Sequence, residues 1–248
     1  MNIMGRKLNI TNFRLIEIEL HSYCNRECGF CPNSYVDRKF YKELPKKTFI
    51  KLIDELKESN YSNYITFSRY NEPFFNRAIL EERIRQVRER LPNAKLVSNT
   101  NGDYDYIGID LDELTVMDYD YKLEPNNDKK VRIARLGEIT NRGGALKFRK
   151  PIRDFPCFEP SYFVGIDYEG SVMPCCELRH DVPKHKDYIL GNIKENSLSE
   201  ILNSYKAKKF RAEVSNSQFS GACKTCTKTP GRYTADNSGI NKEVLHLR

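Results

Sequence analysis

The chain has 248 residues, 39% hydrophobic and 30% charged, enough to bury a substantial core in one large α/β domain or in one domain with a modest appendage. Its 41 Lys and Arg outnumber its 34 Asp and Glu, but the excess is spread along the chain and leaves no basic tail for a nucleic-acid arm; a basic mouth for an anionic substrate stays open. The first eleven residues carry no apolar signal core and no apolar run is long enough to span a membrane, so the reading is of a soluble, cytoplasmic protein with no membrane partner and no clear nucleic-acid binding.

Residues 14–20 (RLIEIEL) alternate strictly and predict a strand with Ile16, Ile18 and Leu20 on one face and Glu17 and Glu19 on the other. In a barrel wrapped by helices the apolar face meets the helices, which turns Glu17, Glu19 and His21 toward the interior. A helical stripe follows at Phe49, Leu52, Ile53 and Leu56, then a second strand at 64–68 and a second stripe at Leu80, Ile84, Val87 and Leu91. Short strands are expected at 95–98, 113–117 and 131–134, separated by stretches too short for full crossover helices. The order is β/α with trimmed later helices. An open parallel barrel fits, because about 150 residues cannot supply the eight strand-helix units for which a full barrel takes roughly 250.

From about Pro156 the pattern changes to a β-hairpin, with strands at 161–166 and 171–173 around the turn Asp167-Tyr168-Glu169-Gly170. Ser197 and Glu200 then form a capping box that opens a helix with a buried stripe at Leu198, Ile201, Leu202 and Tyr205. Its Lys-rich remainder, 206–211, reads as a solvated face rather than a nucleic-acid patch. The end, 227–248, has little periodicity and reads as a tail.

Eight cysteines in a cytosolic chain argue for metal rather than disulfides. Cys24, Cys28 and Cys31 share a C-x3-C-x2-C loop directly after the first strand, and three thiolates on one loop can hold three irons of a [4Fe-4S] cube while the fourth iron stays open to a chelating ligand. The competing reading is a structural zinc site with His21 as its fourth donor, although this spacing is not a usual zinc-finger spacing. Cys157, Cys175 and the Cys223/Cys226 pair can close a second, four-thiolate site, for which spacing alone leaves zinc and iron-sulfur equally open.

The cluster loop, with aromatic Phe30 before its third cysteine, resembles the radical S-adenosylmethionine (SAM) superfamily. So do Tyr70-Asn71-Glu72-Pro73 after the second strand, in place of that family's Gly-Gly-Glu-Pro, and Ser98-Asn99-Thr100-Asn101-Gly102 after the third. The resemblance implies that Phe30 packs on the adenine of SAM, that Asn71 and Glu72 bind its amino group, and that Asn99 and Thr100 lie near it. The hairpin ending in Pro174-Cys175, Gly191-Asn192-Ile193 before a helix, and the final C-x2-C look like the twitch domain, a shortened SPASM domain with one auxiliary [4Fe-4S] cluster. On that resemblance the auxiliary ligands are Cys157, Cys175, Cys223 and Cys226, and Cys176 is a buried thiol. The implied architecture is a partial (β/α)6-type barrel over 1–150, a β-hairpin plus helix auxiliary-cluster domain over 151–230 and a tail over 231–248.

Cys-Pro-Asn-Ser at 31–34, Asn-Gly-Asp at 101–103 and Asn-Arg-Gly-Gly at 141–144 are similar to radical SAM dehydrogenases that oxidise a secondary alcohol of an aminocyclitol. That similarity makes Arg142, Tyr70 and Glu17 the candidate catalytic residues; without it, Arg142 reads as a surface arginine in a turn. It implies two [4Fe-4S] clusters and SAM as cofactors, a small-molecule substrate, and an electron donor such as flavodoxin or ferredoxin. One alternative is radical crosslinking or epimerisation of a ribosomal peptide, against which the length leaves no room for a leader-binding domain. The other is a zinc-binding interaction module.

Overall fold

The computed structural model describes residues 7–124, 128–137, 139–146 and 153–228. The expected tail at 231–248 and the junction at 150/151 lie outside the described residues.

Strand β1, Leu15–Ile18, sits inside an eight-stranded sheet. Its even residues, Ile16 and Ile18, are fully buried in the main core. There they meet Phe49, Leu52, Ile53 and Leu56 of helix α1, Lys46–Glu58, whose apolar residues recur at helical spacing. Strand β2, Tyr64–Thr66, leads to helix α2, Arg77–Arg90, where Asn76 caps the first turn by accepting from Ile79 N. Leu80, Ile84 and Val87 of α2 enter the same core, as the stripe implied.

Strands β3 (Lys95–Thr100), β4 (Glu113–Met117) and β5 (Val131–Ala134) continue the parallel sheet outward from β2. β3 runs two residues beyond the expected 95–98 because Asn99 and Thr100 pair in register with Thr115 and Val116 of β4. No helix separates these three strands among the described residues, so the barrel is open and its later helices are trimmed.

On the other side of β1 lies β6, Phe163–Ile166, also parallel, and it supplies the sixth parallel strand. A four-residue helix α3, Glu159–Tyr162, takes the first two residues of the expected strand 161–166, because Pro160 in its first turn favours helix. β7, Ser171–Met173, and β8, Gly191–Asn192, then add antiparallel strands. The β6–β7 turn is fixed by Asp167, whose Oδ1 accepts from Glu169 N at 2.8 Å and Ser171 N at 3.0 Å. Gly170 closes that turn at φ +84°, a left-handed conformation that disfavours any side chain.

The capping box at Ser197 and Glu200 opens helix α4, Leu198–Leu202. Glu55 of α1 secures the same end by accepting from Leu198 N and Ser199 N at 2.8 and 2.7 Å. The helix does not continue through Tyr205. Ser204 caps a separate helix α5, Tyr205–Ser215, which turns Tyr205 out to 81% exposure. The solvated face expected at 206–211 also fails at its end, since Arg211 is buried and donates to Leu202 O at 2.7 Å. A last short helix α6, Gly221–Lys224, carries Cys223.

Candidate active site and cluster sites

A cavity of about 740 Å³, counting its open mouth, lies at the carboxyl ends of β1 to β4. That is the end at which parallel strands present their ligand-binding loops. Cys24, Cys28, Phe30 and Cys31 come from the loop after β1, Ser68 to Glu72 follow β2, Asn99 to Asn101 close β3, and Met117 and Tyr119 close β4. Arg142 and Cys176 complete the wall.

Arg26 straps the cluster loop in place. Its Nε and Nη2 donate to both oxygens of Asp103 at 2.6 and 2.5 Å, and its Nη1 and Nη2 to both oxygens of Asp120 at 3.3 and 2.9 Å. Asn25 adds a bond to Asp103 and accepts one from Asn101. Arg26 also covers the Tyr119 ring at 5.6 Å, and that ring faces Phe30 at 5.1 Å. Phe30 is marked in the sequence by its place before the third loop cysteine, whereas Arg26 and Tyr119 are not; the position of 117–119 at a strand's carboxyl end is the one signal for Tyr119.

Glu72 is 2% exposed, and burial raises its carboxyl to about 7 despite bonds from Asn101 N, Thr100 Oγ1 and Phe74 N. Two of those bonds fall on Oε1 and one on Oε2, so Oε2 keeps acceptor capacity toward the cavity. Thr100 lines the cavity and also braces Glu72. Asn71 spends its side chain on Arg69 N and Phe67 O, shaping the turn, and Asn99 bonds Ser68 Oγ through both its N and Nδ2.

Glu17, Glu19 and His21 are buried, but none lines the cavity. The interior carboxylates are matched by arginines: Glu17 Oε2 lies 2.6 Å from Arg69 Nη1, and Glu19 Oε1 lies 3.0 Å from Arg38 Nη1. Arg69 finds its space over Gly165 of β6, where any Cβ would collide with its guanidinium. His21 sits at a bridge to Glu43 with its ring between Tyr41 and Phe75, and burial pushes its pKa down to about 4. Tyr70 does line the cavity; its hydroxyl donates to Cys176 O at 2.6 Å and its ring lies among Arg69, Arg142 and Arg179 at 5.5, 6.0 and 4.5 Å.

Arg142 is not the surface arginine that a turn alone would suggest. Its side chain is 14% exposed, it lines the cavity, and its Nη1 stands 3.6 Å from Glu177 Oε1. The whole Asn-Arg-Gly-Gly motif has structural work. Asn141, fully buried, donates to Thr225 O at 2.6 Å and exchanges bonds with Thr227 on either side of Cys226. Arg142, Gly143 and Gly144 all have positive φ, and a Cβ on Gly143 would meet Leu178 Cδ2 at 2.9 Å and His185 Nε2 at 3.1 Å. Glu177, whose Oε2 accepts from Thr140, was not singled out from sequence because an acidic residue beside two cysteines carries no pattern of its own.

A second cavity, of about 410 Å³, gathers Cys157, Cys175, Cys223 and Cys226 with Arg153, Glu159, Glu177 and Lys228. Burial pushes the Cys223 thiol up to about 12 and the Cys226 thiol to about 11; Cys175 is raised well above the ordinary thiol value by burial and by the other cysteines around it. Cys24 and Cys28 of the loop are likewise pushed up by burial to about 11. Such thiols ionise together only when a metal supplies the counter-charge. Among the described residues no three Cys, His, Asp or Glu side chains converge closely enough to hold a single metal ion. In a cube each thiolate binds a different iron, so a ligand set is a group of thiols around one cavity: Cys24, Cys28 and Cys31 line the first, and Cys157, Cys175, Cys223 and Cys226 line the second. Cys176 turns the other way from its neighbour: Cys175 faces the second cavity and Cys176, 2% exposed, lines the first.

Comparison with known families and structures agrees with this geometry. Residues 18–118 match the radical SAM superfamily and residues 157–227 match SPASM, an iron-sulfur cluster-binding domain; the chain is a radical SAM enzyme with a SPASM-type auxiliary domain. SAM and [4Fe-4S] clusters are its cofactors. The chain is similar to the S-adenosyl-L-methionine-dependent 2-deoxy-scyllo-inosamine dehydrogenase of Niallia circulans, 27% identical over 237 residues covering 86% of this chain and 92% of that protein. It is also similar to the crystal structure of BtrN in complex with AdoMet and 2-DOIA, with 26% identity, a TM-score of 0.75, and coverage of 87% of this chain and 93% of that one. Native anSMEcpe with bound AdoMet shares the fold at a TM-score of 0.52 and 12% identity, covering 79% of this chain and 82% of that one. No helix among the described residues is long and apolar enough to cross a membrane.

Proposed function

We propose that this enzyme oxidises a secondary alcohol of a small polyol or aminocyclitol-like substrate to a ketone. The observation that carries the reading is the shared wall between the two cavities: Cys176 and Arg142 line the first, while their chain neighbours Cys175 and Gly143 line the second. The likeness to an aminocyclitol dehydrogenase over most of both chains supports it. Cys24, Cys28 and Cys31 hold the cluster that works with SAM, and Cys157, Cys175, Cys223 and Cys226 hold the auxiliary one. With these groups bound, the first site supplies a 5'-deoxyadenosyl radical that takes a hydrogen atom, and the second supplies an acceptor for one electron.

The chain's own residues hold and orient. Phe30 packs on adenine, with Asn71, Asn99 and Thr100 shaping the rest of the SAM pocket. Arg142 stands at the substrate hydroxyl, steadied by Glu177, and stabilises negative charge on that oxygen as its proton leaves; a guanidinium cannot itself take the proton. Tyr70 forms the floor, and Glu17 acts through Arg69 rather than at the substrate. Residues 1–150 then serve SAM cleavage, residues 151–230 the electron acceptor, and a flavodoxin or ferredoxin reduces the loop cluster.

Glu72 binds the SAM ammonium group. Glu72→Gln should weaken SAM binding by about 10- to 100-fold, the worth of a charge-assisted contact, and leave both clusters in place. Because burial raises the Glu72 carboxyl to about 7, the free protein gains stability as pH falls through 7 and the buried charge disappears. SAM needs the ionised form, so the rise in Tm that SAM produces should be larger at pH 8 than at pH 6 and flat with pH in Glu72→Gln. An equal rise at both pH values in the parent enzyme would show that Glu72 does not meet the ammonium group.

The reading as a whole is tested by anaerobic incubation of the reconstituted enzyme with SAM, dithionite and candidate cyclitols and aminosugars, 2-deoxy-scyllo-inosamine first. The expected product is lighter by two hydrogens, with one SAM consumed per product. A product of unchanged mass would mean epimerisation or rearrangement, and a product joined by a new bond would mean crosslinking; either outcome defeats the dehydrogenase reading.

A further inference from the structure

Four charged side chains face the second cavity: Arg153, Lys228, Glu159 and Glu177. Three of them have opposite charges close by. Lys228 Nζ lies 4.0 Å from Glu159 Oε1, and Glu177 Oε1 lies 3.6 Å from Arg142 Nη1. Arg153 differs. It is 7% exposed, yet among the described residues no carboxylate stands within ion-pair distance of its guanidinium. What holds it is neutral: its Nε donates to Phe155 O at 3.3 Å, its backbone N donates to Lys224 O at 2.9 Å, and its guanidinium lies over the rings of Phe155 and Phe219 at 4.3 and 5.5 Å. A buried cation without an anion is costly, so a position of this kind calls for a negative charge in the space it faces. That space is ringed by the four thiols, and the Arg153 charge acts favourably on the ionised forms of Cys157, Cys223 and Cys226.

A [4Fe-4S] cluster held by four thiolates is anionic, and one-electron reduction adds a further negative charge. Net charge, hydrogen bonds to sulfur and solvent exposure set its potential. We propose that Arg153 is the residue that tunes the auxiliary cluster, raising its reduction potential so that it takes the electron left on the substrate after hydrogen-atom removal. This deepens the dehydrogenase reading and rests on its assignment of the late cysteines. Arg153 is a positioning residue for charge, not a group that touches substrate, and its aromatic seat fixes the cation at one place beside the cluster rather than leaving it to wander in water.

The test is a redox titration of the reconstituted holoenzyme followed by electron paramagnetic resonance, with the loop cluster identified by the change in its signal on adding SAM. Arg153→Met fits between the same two rings without the charge, and Arg153→Lys keeps the charge. Arg153→Met should make reduction of the auxiliary cluster about tenfold less favourable, a fall of about 59 mV for one electron, and Arg153→Lys should restore most of it. Iron content and the loop cluster's potential should not change. Full iron with an unmoved auxiliary potential in Arg153→Met would overturn the tuning role alone. Should Arg153→Met lose the second cluster's iron, Arg153→Gln takes its place under the same criterion, and loss of iron in both would make Arg153 a structural strap and equally overturn the proposal. A parent enzyme with only one cluster signal would instead defeat the underlying assignment of the late cysteines.

Discussion

Replacing Cys24, Cys28 and Cys31 together by alanine should abolish SAM cleavage, a loss of more than about 10⁶-fold, while leaving about four irons per chain. The loss is expected because the three thiols sit on one loop that forms a wall of the SAM cavity, and no other thiol on that wall can stand in for three. Cys176 is the remaining one, and it comes from the hairpin segment on the far side. The surviving irons are expected because the late cysteines ring a separate cavity, tied to the rest of the chain by Asn141 and by Cys157 N donating to Val214 O at 2.9 Å. Iron and sulfide assay of the anaerobically reconstituted variant reads both outcomes. Complete loss of iron would mean that the two sites do not form independently.

Arg142→Ala should slow substrate oxidation by about 10²- to 10³-fold and leave uncoupled SAM cleavage near its original rate. Arg142 lines the SAM cavity but makes no hydrogen bond to the groups that hold the cluster loop, among them Asp103, Asp120, Asn101, Arg38 and Lys39. Arg142 already holds φ at +49°, so alanine inherits the same backbone conformation and adds no new turn strain. Arg142→Lys should recover part of the loss, because it keeps the charge but not the two-pronged geometry. Comparing 5'-deoxyadenosine formed with ketone formed separates the two rates. If both fall together, Arg142 supports the cavity as a whole rather than the substrate oxygen.

Much of this architecture could be read from the sequence because it rests on local patterns. Alternation gave β1, helical spacing gave the stripes of α1 and α2, and the turn chemistry of Asp167 and Gly170 gave the hairpin. The cysteine spacing divided seven thiols into two groups, which the fold places around two cavities. What could not be read depends on distant partners. Glu17 and Glu19 looked like cavity carboxylates because alternation shows which face a residue takes, not that Arg69 and Arg38 arrive from elsewhere to neutralise them. Arg26 showed nothing beyond a polar residue between two cysteines; its role comes from Asp103 and Asp120, 77 and 94 residues away. The break at Ser204 was missed because Tyr205 continues the apolar spacing of α4, whereas Ser204 caps a new helix by accepting from Ala207 N. Alternation along an extended chain predicts opposite directions for Cys175 and Cys176, but the two lie in the bend and turn just after β7, so which cavity each one enters is set by that turn and by the packing of the hairpin on β1.

The most direct test of the central claim follows a single hydrogen. With the substrate deuterated at the carbon bearing the reacting hydroxyl, 2-deoxy-scyllo-inosamine being the first to try, deuterium should appear in 5'-deoxyadenosine in one-to-one proportion with ketone formed. Ketone formed while the 5'-deoxyadenosine carries only protium would contradict the account, because hydrogen would then leave that carbon by a route other than the radical generated in this cavity.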